Sequence, residues 1–321
     1  MKSLVYKEYG EPSVLTIAEM PKPQIKENEI LVKVEASGIN PVDTYFRKGI
    51  RKVESFPHIP HFDMAGTVIE LGSEVTTHQI GDRIWASNAK GASGEYVALD
   101  SSIAFPLNEL PFTHGAAIAM PFLTAHLALF FRGELKEHDI VLIYGGSGAV
   151  GHAAIQLAKL KGSTVITTVS TKEKEKIAKA AGADYVINYV QSNVEEEIKK
   201  ITNNQGGVSL ILDMSLSENM EADLNMIKNG GKIITIGSPK NNTPPLLWRQ
   251  LNQKNAALLG LLLFTVPKDE YIKAGKEISE SISEGLIEAH QMEVFKLAEA
   301  STAHQALEAH QILGRAILVH S

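Results

Sequence analysis

The sequence predicts an α/β protein: a mostly parallel sheet covered on both faces by helices, joined to a second, β-rich domain. Three observations carry that expectation. Strand and helix patterns alternate from His138 to about Gly237, and a glycine-rich turn links the first strand of that series to its first helix. Residues 1 to about 123 read instead as short strands broken by proline and glycine. A chain of 321 residues accommodates two domains, since single cores rarely grow much past about 250 residues.

Taken in order, Leu4 to Tyr6, Ile30 to Ala36, Ala65 to Leu71, Arg83 to Ala86 and Glu95 to Leu99 read as strands. Pro12, Pro21, Pro41, Pro60, Gly72, Gly81 and Gly91 punctuate them. Thr113 to Phe131 is a long apolar stretch with few charges, expected as a helix leading into the next domain. Ile140 to Tyr144 is an apolar, β-branched run short enough for a buried strand, and Ala149 to Lys161 carries apolar residues at helical spacing. Strands follow at Val165 to Val169, Tyr185 to Asn188, Val208 to Asp213 and Lys232 to Gly237. Helices alternate with them at Lys172 to Ala181, Val194 to Thr202 and Asn219 to Ile227. After a loop at Asn241 to Pro245, the leucine-rich Ala256 to Phe264 reads as a final strand, either an edge that pairs with a second subunit or ordinary core. Glu270 to Glu284 is an amphipathic helix, Glu293 to Lys296 a strand, Ala300 to Leu313 a helix and Ala316 to His320 a closing strand. Pattern alone does not say which domain these last elements join.

Composition narrows the function. With 31 basic and 37 acidic residues the net charge is −6, which presents no basic face to nucleic acid or an anionic membrane. The absence of cysteine excludes disulfides, thiolate zinc ligands and thiol nucleophiles. Met1 to Gly10 has no apolar signal-peptide core, and Ala256 to Phe264, taken as the most apolar run, is about half the length of a membrane span. A cytosolic protein is expected.

Gly146-Ser147-Gly148-Ala149-Val150-Gly151 is a complete G-x-G-x-x-G lying between a strand and a helix, the context that upgrades the motif to a dinucleotide site. The first glycine permits the tight turn, the second lets a diphosphate approach the backbone, and the third lets helix and strand pack closely. Free N–H groups at the helix start then face the phosphates. An NAD site usually adds an acid about 20 residues further on, for the ribose 2′-hydroxyl. Val165 to Thr171 contains none, and Lys172 and Lys174 follow, so NADPH is the expected coenzyme. The same lysines, with Lys176, also read as a solvated helix face beside Glu173 and Glu175.

Ala36-Ser37-Gly38-Ile39-Asn40-Pro41-Val42-Asp43-Thr44-Tyr45 resembles the signature of zinc-independent, zeta-crystallin-like quinone oxidoreductases of the medium-chain dehydrogenases/reductases. Ala65 to Gly72, Gly81-Asp82-Arg83, Gly115-Ala116-Ala117, Pro121 to Ala125, the glycine turn, Gly182-Ala183-Asp184 and Ile187-Asn188-Tyr189 extend the likeness in family order. It implies a Rossmann dinucleotide-binding domain, about 126–264, inserted in a GroES-like β-rich catalytic domain made of 1–125 and 265–321. It also implies an active site in the cleft between them and a homodimer through the last sheet strand. His61-Phe62-Asp63 stands where zinc alcohol dehydrogenases have Gly-His-Glu, and with no cysteine a metal is not expected. His58 and His61 have the spacing of a metal pair, but Pro57 and Pro60 argue against a helix that would align them.

The resemblance also assigns residues. Asn40, Asp43 and Tyr45 line the cleft near the nicotinamide, with Tyr45 bonding the substrate carbonyl or relaying a proton; a surface aromatic after a turn is the alternative. Ser170 and Lys174 hold the 2′-phosphate and Tyr189 lies near the adenosine. Thr124 bonds the carboxamide, or else its own helix backbone. Gly237, Ser238 and Phe264 flank the coenzyme, and Arg315 either reaches its diphosphate or is a surface charge. The expected activity is NADPH-dependent reduction of a quinone without metal. Reduction of the C=C bond of enones by the same superfamily and a non-catalytic NADPH- or RNA-binding role are the alternatives.

Overall fold

The structure is a computed structural model that describes residues 1–203, 206–237 and 241–320. The chain divides into two compact units, Met1–Pro121 with Tyr271–Ser321, and Phe122–Glu270.

In the first unit β1 (Lys2–Val5) pairs antiparallel with β2 (Thr16–Glu19). Then come β3 (Glu29–Ile39), α1 (Pro41–Arg47), β4 (Asp63–Leu71), β5 (Arg83–Ala86), β6 (Tyr96–Asp100) and β7 (Phe105–Pro106). β3 outruns the expected Ile30 to Ala36 because it serves three partners. Its first half pairs with β6, its other edge with β4, and its second half with a strand from the far end of the chain. Ser37 and Gly38 interrupt the apolar pattern there, yet both are buried. A Cβ on Gly38 would lie 2.5 Å from the Ala116 carbonyl and 2.8 Å from the Arg315 guanidinium, so only glycine fits. Pro41–Arg47 forms a helix where the sequence suggests a turn. Asn-Pro-Val-Asp is a helix start: Asn40 caps, Pro41 takes the first helical position, and Asp43 Oδ2 accepts the Asn40 N–H at 2.6 Å.

α2 (Phe112–His126) begins in the first unit and ends in the second, and runs on through one π-helical turn over Leu127–Arg132. Those 21 residues are long and apolar enough to cross a membrane, unlike Ala256 to Phe264, but most of the stretch is buried inside the protein as a core helix.

The second unit continues with β8 (Ile140–Ile143), α3 (Ala149–Leu160), β9 (Thr164–Val169), α4 (Lys172–Ala180), β10 (Tyr185–Asn188) and α5 (Val194–Ile201). β11 (Val208–Asp213), α6 (Leu216–Met226), β12 (Ile227–Thr235), α7 (Trp248–Gln253) and β13 (Ala257–Gly260) complete it. Among the described residues these strands form one parallel sheet in the order β10-β9-β8-β11-β12-β13. Its central strands β8, β9 and β11 are almost continuously buried, as parallel strands covered on both faces must be. β13 is shorter than the expected Ala256 to Phe264 because its partner β12 ends at Thr235, opposite Gly260; Leu263–Thr265 is a 3₁₀ turn.

α8 (Lys268–Ser283), β14 (Met292–Lys296), α9 (Ala300–Glu308) and β15 (Arg315–Val319) close the chain. α9 stops five residues before the expected Leu313, and His310 adopts the left-handed region at φ 54° just beyond it. β15 is the strand that pairs with the second half of β3, and β14 runs parallel to β15.

Candidate functional site

The ends of β8, β9, β11 and β12 lie side by side at one edge of the parallel sheet, with Ile143 opposite Thr167 and Leu212 opposite both Ile143 and Ile234. β8 gives way there to the glycine turn. The Gly146 N–H bonds the Thr168 carbonyl at 3.2 Å, and the Gly148 N–H bonds the Gly145 carbonyl at 2.9 Å. The three motif glycines differ in purpose. A Cβ on Gly146 would sit 2.2 Å from Thr167 Oγ1, and one on Gly151 would sit 2.3 Å from the Gly145 carbonyl oxygen. Both are packing glycines. A Cβ on Gly148 would meet only the Gly145 oxygen, at 3.3 Å. Its side of the turn is open. Gly148 is also the N-cap of α3 and offers no side-chain bond, so the first-turn N–H groups of Ala149, Val150 and Gly151 lack helical partners. A Cβ-free opening against free N–H groups at a helix start fits a diphosphate.

Ser170 stands one residue past the end of β9, and Lys174 Nζ donates to its Oγ at 3.2 Å. The nearby acids are engaged elsewhere. Glu175 pairs with Lys179 at 2.6 Å, and the carboxylate of Glu173 bonds its own backbone N–H and Thr171, the N-cap of α4. Tyr189 follows β10 and is 55% exposed. Gly237 follows β12, and its carbonyl accepts the Leu216 N–H at 3.2 Å. Thr124 is a buried residue of α2, Phe264 sits half-buried in the 3₁₀ turn, and Ser238 lies outside the described residues.

The first unit gathers the other residues, but not as expected. Asp63 is fully buried and accepts four donors: Ser87 Oγ at 2.6 Å, Asn40 Nδ2 at 2.8 Å, the Met120 N–H at 3.1 Å and Arg315 Nη2 at 3.1 Å. Arg315 Nη1 donates to Asn40 Oδ1 at 2.9 Å and to the Ile39 carbonyl at 3.1 Å. All these partners of the Arg315 guanidinium thus belong to the first unit. That guanidinium is an internal clamp on β3, α1 and β4, and at 3% side-chain exposure it is not a surface charge. Asn40 and Asp43 also have internal partners. Both are buried, Asn40 inside that clamp and Asp43 at the start of α1, where burial holds its carboxyl well above the usual range. Of the three expected catalytic residues only Tyr45 keeps a partly exposed side chain.

His61 Nδ1 lies 3.0 Å from Ser37 Oγ, and its Nε2 lies 2.9 Å from Nε2 of His304 on α9. His58 packs instead against Tyr6, so the two histidines do not converge. Among the described residues no group of three or more His, Asp or Glu is arranged to hold a metal. Burial pulls both His61 and His304 down, His304 to about 3 from 6.5. The unfolded chain thus takes up protons that the folded chain refuses, and stability falls as pH drops from about 6.5 toward about 3. His304→Gln is expected to flatten that acid limb in melts recorded against pH.

Residues 26–109 match the family model described as the alcohol dehydrogenase GroES-like domain, and residues 149–280 the one described as zinc-binding dehydrogenase. A quinone oxidoreductase of Sus scrofa is 34% identical over 304 residues, 93% of this chain and 91% of its own length. The chain belongs to the quinone oxidoreductase family. Two solved structures are similar over 100% of both chains: an Escherichia coli quinone oxidoreductase complexed with NADPH, with TM-score 0.90 at 29% identity, and a mycobacterial protein also complexed with NADPH, with TM-score 0.89 at 31%. This branch of the medium-chain dehydrogenases/reductases has a GroES-like domain and a Rossmann-like parallel sheet. Sequence reasoning misses two features of this structure. One is the Asp63–Arg315 clamp. The other is a pair of buried acids, Asp213 and Asp223, whose signal is a charged residue closing the apolar run Val-Ser-Leu-Ile-Leu-Asp.

Proposed function

We propose that the chain is an NADPH-dependent quinone reductase that works without a metal. The observation that carries this is the end of β9, where Ser170 and Lys174 are joined beside the glycine turn and no carboxylate occupies the strand's last residues. An acid there would repel a 2′-phosphate, whereas a hydroxyl and an ammonium attract it. The NADPH in the related Escherichia coli structure supports the same choice.

When bound, NADPH supplies the hydride. The chain's residues bind and orient. The backbone from Gly146 through Ser147, Gly148, Ala149 and Val150 to Gly151 holds the diphosphate, Ser170 and Lys174 hold the 2′-phosphate, and Tyr189 flanks the adenosine. Thr124 orients the carboxamide, with Gly237 and Phe264 beside the coenzyme. Tyr45 donates its hydroxyl hydrogen to the substrate oxygen, and water replaces that proton. The substrate is a quinone, with an enone as the competing small molecule. A homodimer through β13, whose outer edge is unpaired among the described residues, completes the proposal.

Steady-state assays with a naphthoquinone and with a short enone, each with NADPH, test it. Faster NADPH oxidation with the quinone is expected; turnover of the enone alone sinks the quinone reading. Lys174→Glu is expected to raise the KM for NADPH by roughly tenfold to a hundredfold, the worth of a charged hydrogen bond, and to leave the KM for NADH unchanged.

A further inference from the structure

Beside the glycine turn lies a group of acids that the coenzyme site does not use. Tyr144, the residue before Gly145, donates its hydroxyl to Asp223 Oδ1 on α6 at 2.8 Å. Asp213 closes β11, and its Oδ1 accepts the Ser215 N–H at 2.7 Å and the Asn219 amide at 2.9 Å. The two carboxyl groups act directly on each other. Both residues are fully buried, and the Oδ2 of each is left without a hydrogen-bond donor unless one carboxyl carries a proton toward the other. Two carboxylates cannot bond to each other, because neither has a proton to give. One of them must carry it.

The surroundings favour that. Among the described residues, Tyr144 just past β8, Glu218 on α6 and Glu195 on α5 are the ionisable groups that act on this cluster, and no cation is among the causes that shift either carboxyl. Burial raises both acids, and repulsion from Asp213 raises Asp223 further. Asp213 already takes two N–H donors at Oδ1, whereas Asp223 receives one hydroxyl. The negative charge is better held on Asp213, so the proton resides on Asp223 Oδ2.

We propose that Asp223 and Asp213 share one proton, and that this hydrogen bond fixes two segments of the coenzyme site. On one side Tyr144 leads directly into the glycine turn. On the other, Asp213 holds Ser215, and the next residue, Leu216, bonds the Gly237 carbonyl. The acids act through these segments as positioning residues, and the positioning role rests on reading this unit as an NADPH site.

The test compares Asp223→Asn and Asp223→Ala in the full chain. The unfolded chain gives up the Asp223 proton near an ordinary value of about 3.9, whereas the folded chain keeps it to much higher pH. The folded state then binds one more proton, so wild-type stability falls as pH rises, by up to about tenfold in the unfolding equilibrium per pH unit. Asparagine supplies a permanent N–H to Asp213 and keeps an oxygen for Tyr144, so Asp223→Asn removes that slope. Its stability margin over wild type is expected to widen from about pH 5 to about pH 8. NADPH affinity is expected to stay within about twofold in Asp223→Asn and to fall about tenfold in Asp223→Ala, which lacks both groups. A margin that does not change with pH overturns the shared proton. Equal NADPH affinity in the two variants overturns the positioning role. If the wild-type chain takes up no NADPH, the coenzyme site and the positioning role fall together, while the stability comparison still decides the proton.

Discussion

Gly148→Ala is expected to fold with near wild-type stability and to bind NADPH roughly tenfold to a hundredfold more weakly, measured by coenzyme titration and denaturant melts. Gly148 has φ −81° and ψ 165°, an extended conformation open to any residue, and the new methyl group would meet only one atom, at 3.3 Å. What the methyl obstructs is the open side of the turn, where a diphosphate would rest on the α3 N–H groups. Gly151→Ala provides the contrast. Its methyl would press to 2.3 Å from a backbone carbonyl of the same turn, which cannot swing away as a side chain would. Helix and turn must separate, so stability falls by about 1–3 kcal/mol and coenzyme binding falls with it. A Gly148→Ala chain that binds NADPH normally would place the diphosphate elsewhere.

Arg315→Met is expected to lower stability by about 3–5 kcal/mol without changing the NADPH affinity of the folded protein. Removing the guanidinium leaves the Asp63 charge buried, with three hydrogen bonds but no counter-ion. It also frees the Ile39 carbonyl and Asn40 Oδ1. Arg315→Lys should recover only part of the loss, because one ammonium cannot reproduce a planar fork that serves three acceptors. A diphosphate-binding Arg315 would give the opposite pattern, intact stability with weakened coenzyme binding.

These residues mark where the sequence is legible. The β8–turn–α3 segment is readable because its chemistry is local: within six residues two glycines allow close packing and the third leaves the turn open. The missing acid after β9 is equally local. α1 is legible too, since Asn40, Pro41 and Asp43 are the capping, first and third-position residues that helix starts favour. What composition and periodicity cannot reach is pairing at a distance. Arg315 and Asp63 are 252 residues apart, and β15 finds β3 across a comparable separation. Nothing near Arg315 tells a buried clamp from a surface charge. The Asp213–Asp223 pair is hidden differently: each acid is unremarkable in its own element, and only the packing of α6 against β11 brings them into contact.

The most direct measurement is a titration of the purified, folded chain with NADPH and NADH, followed by coenzyme fluorescence. Saturable uptake of NADPH, at least about tenfold tighter than that of NADH, is the expected result. A folded chain that takes up neither nucleotide contradicts a diphosphate seat at the head of α3.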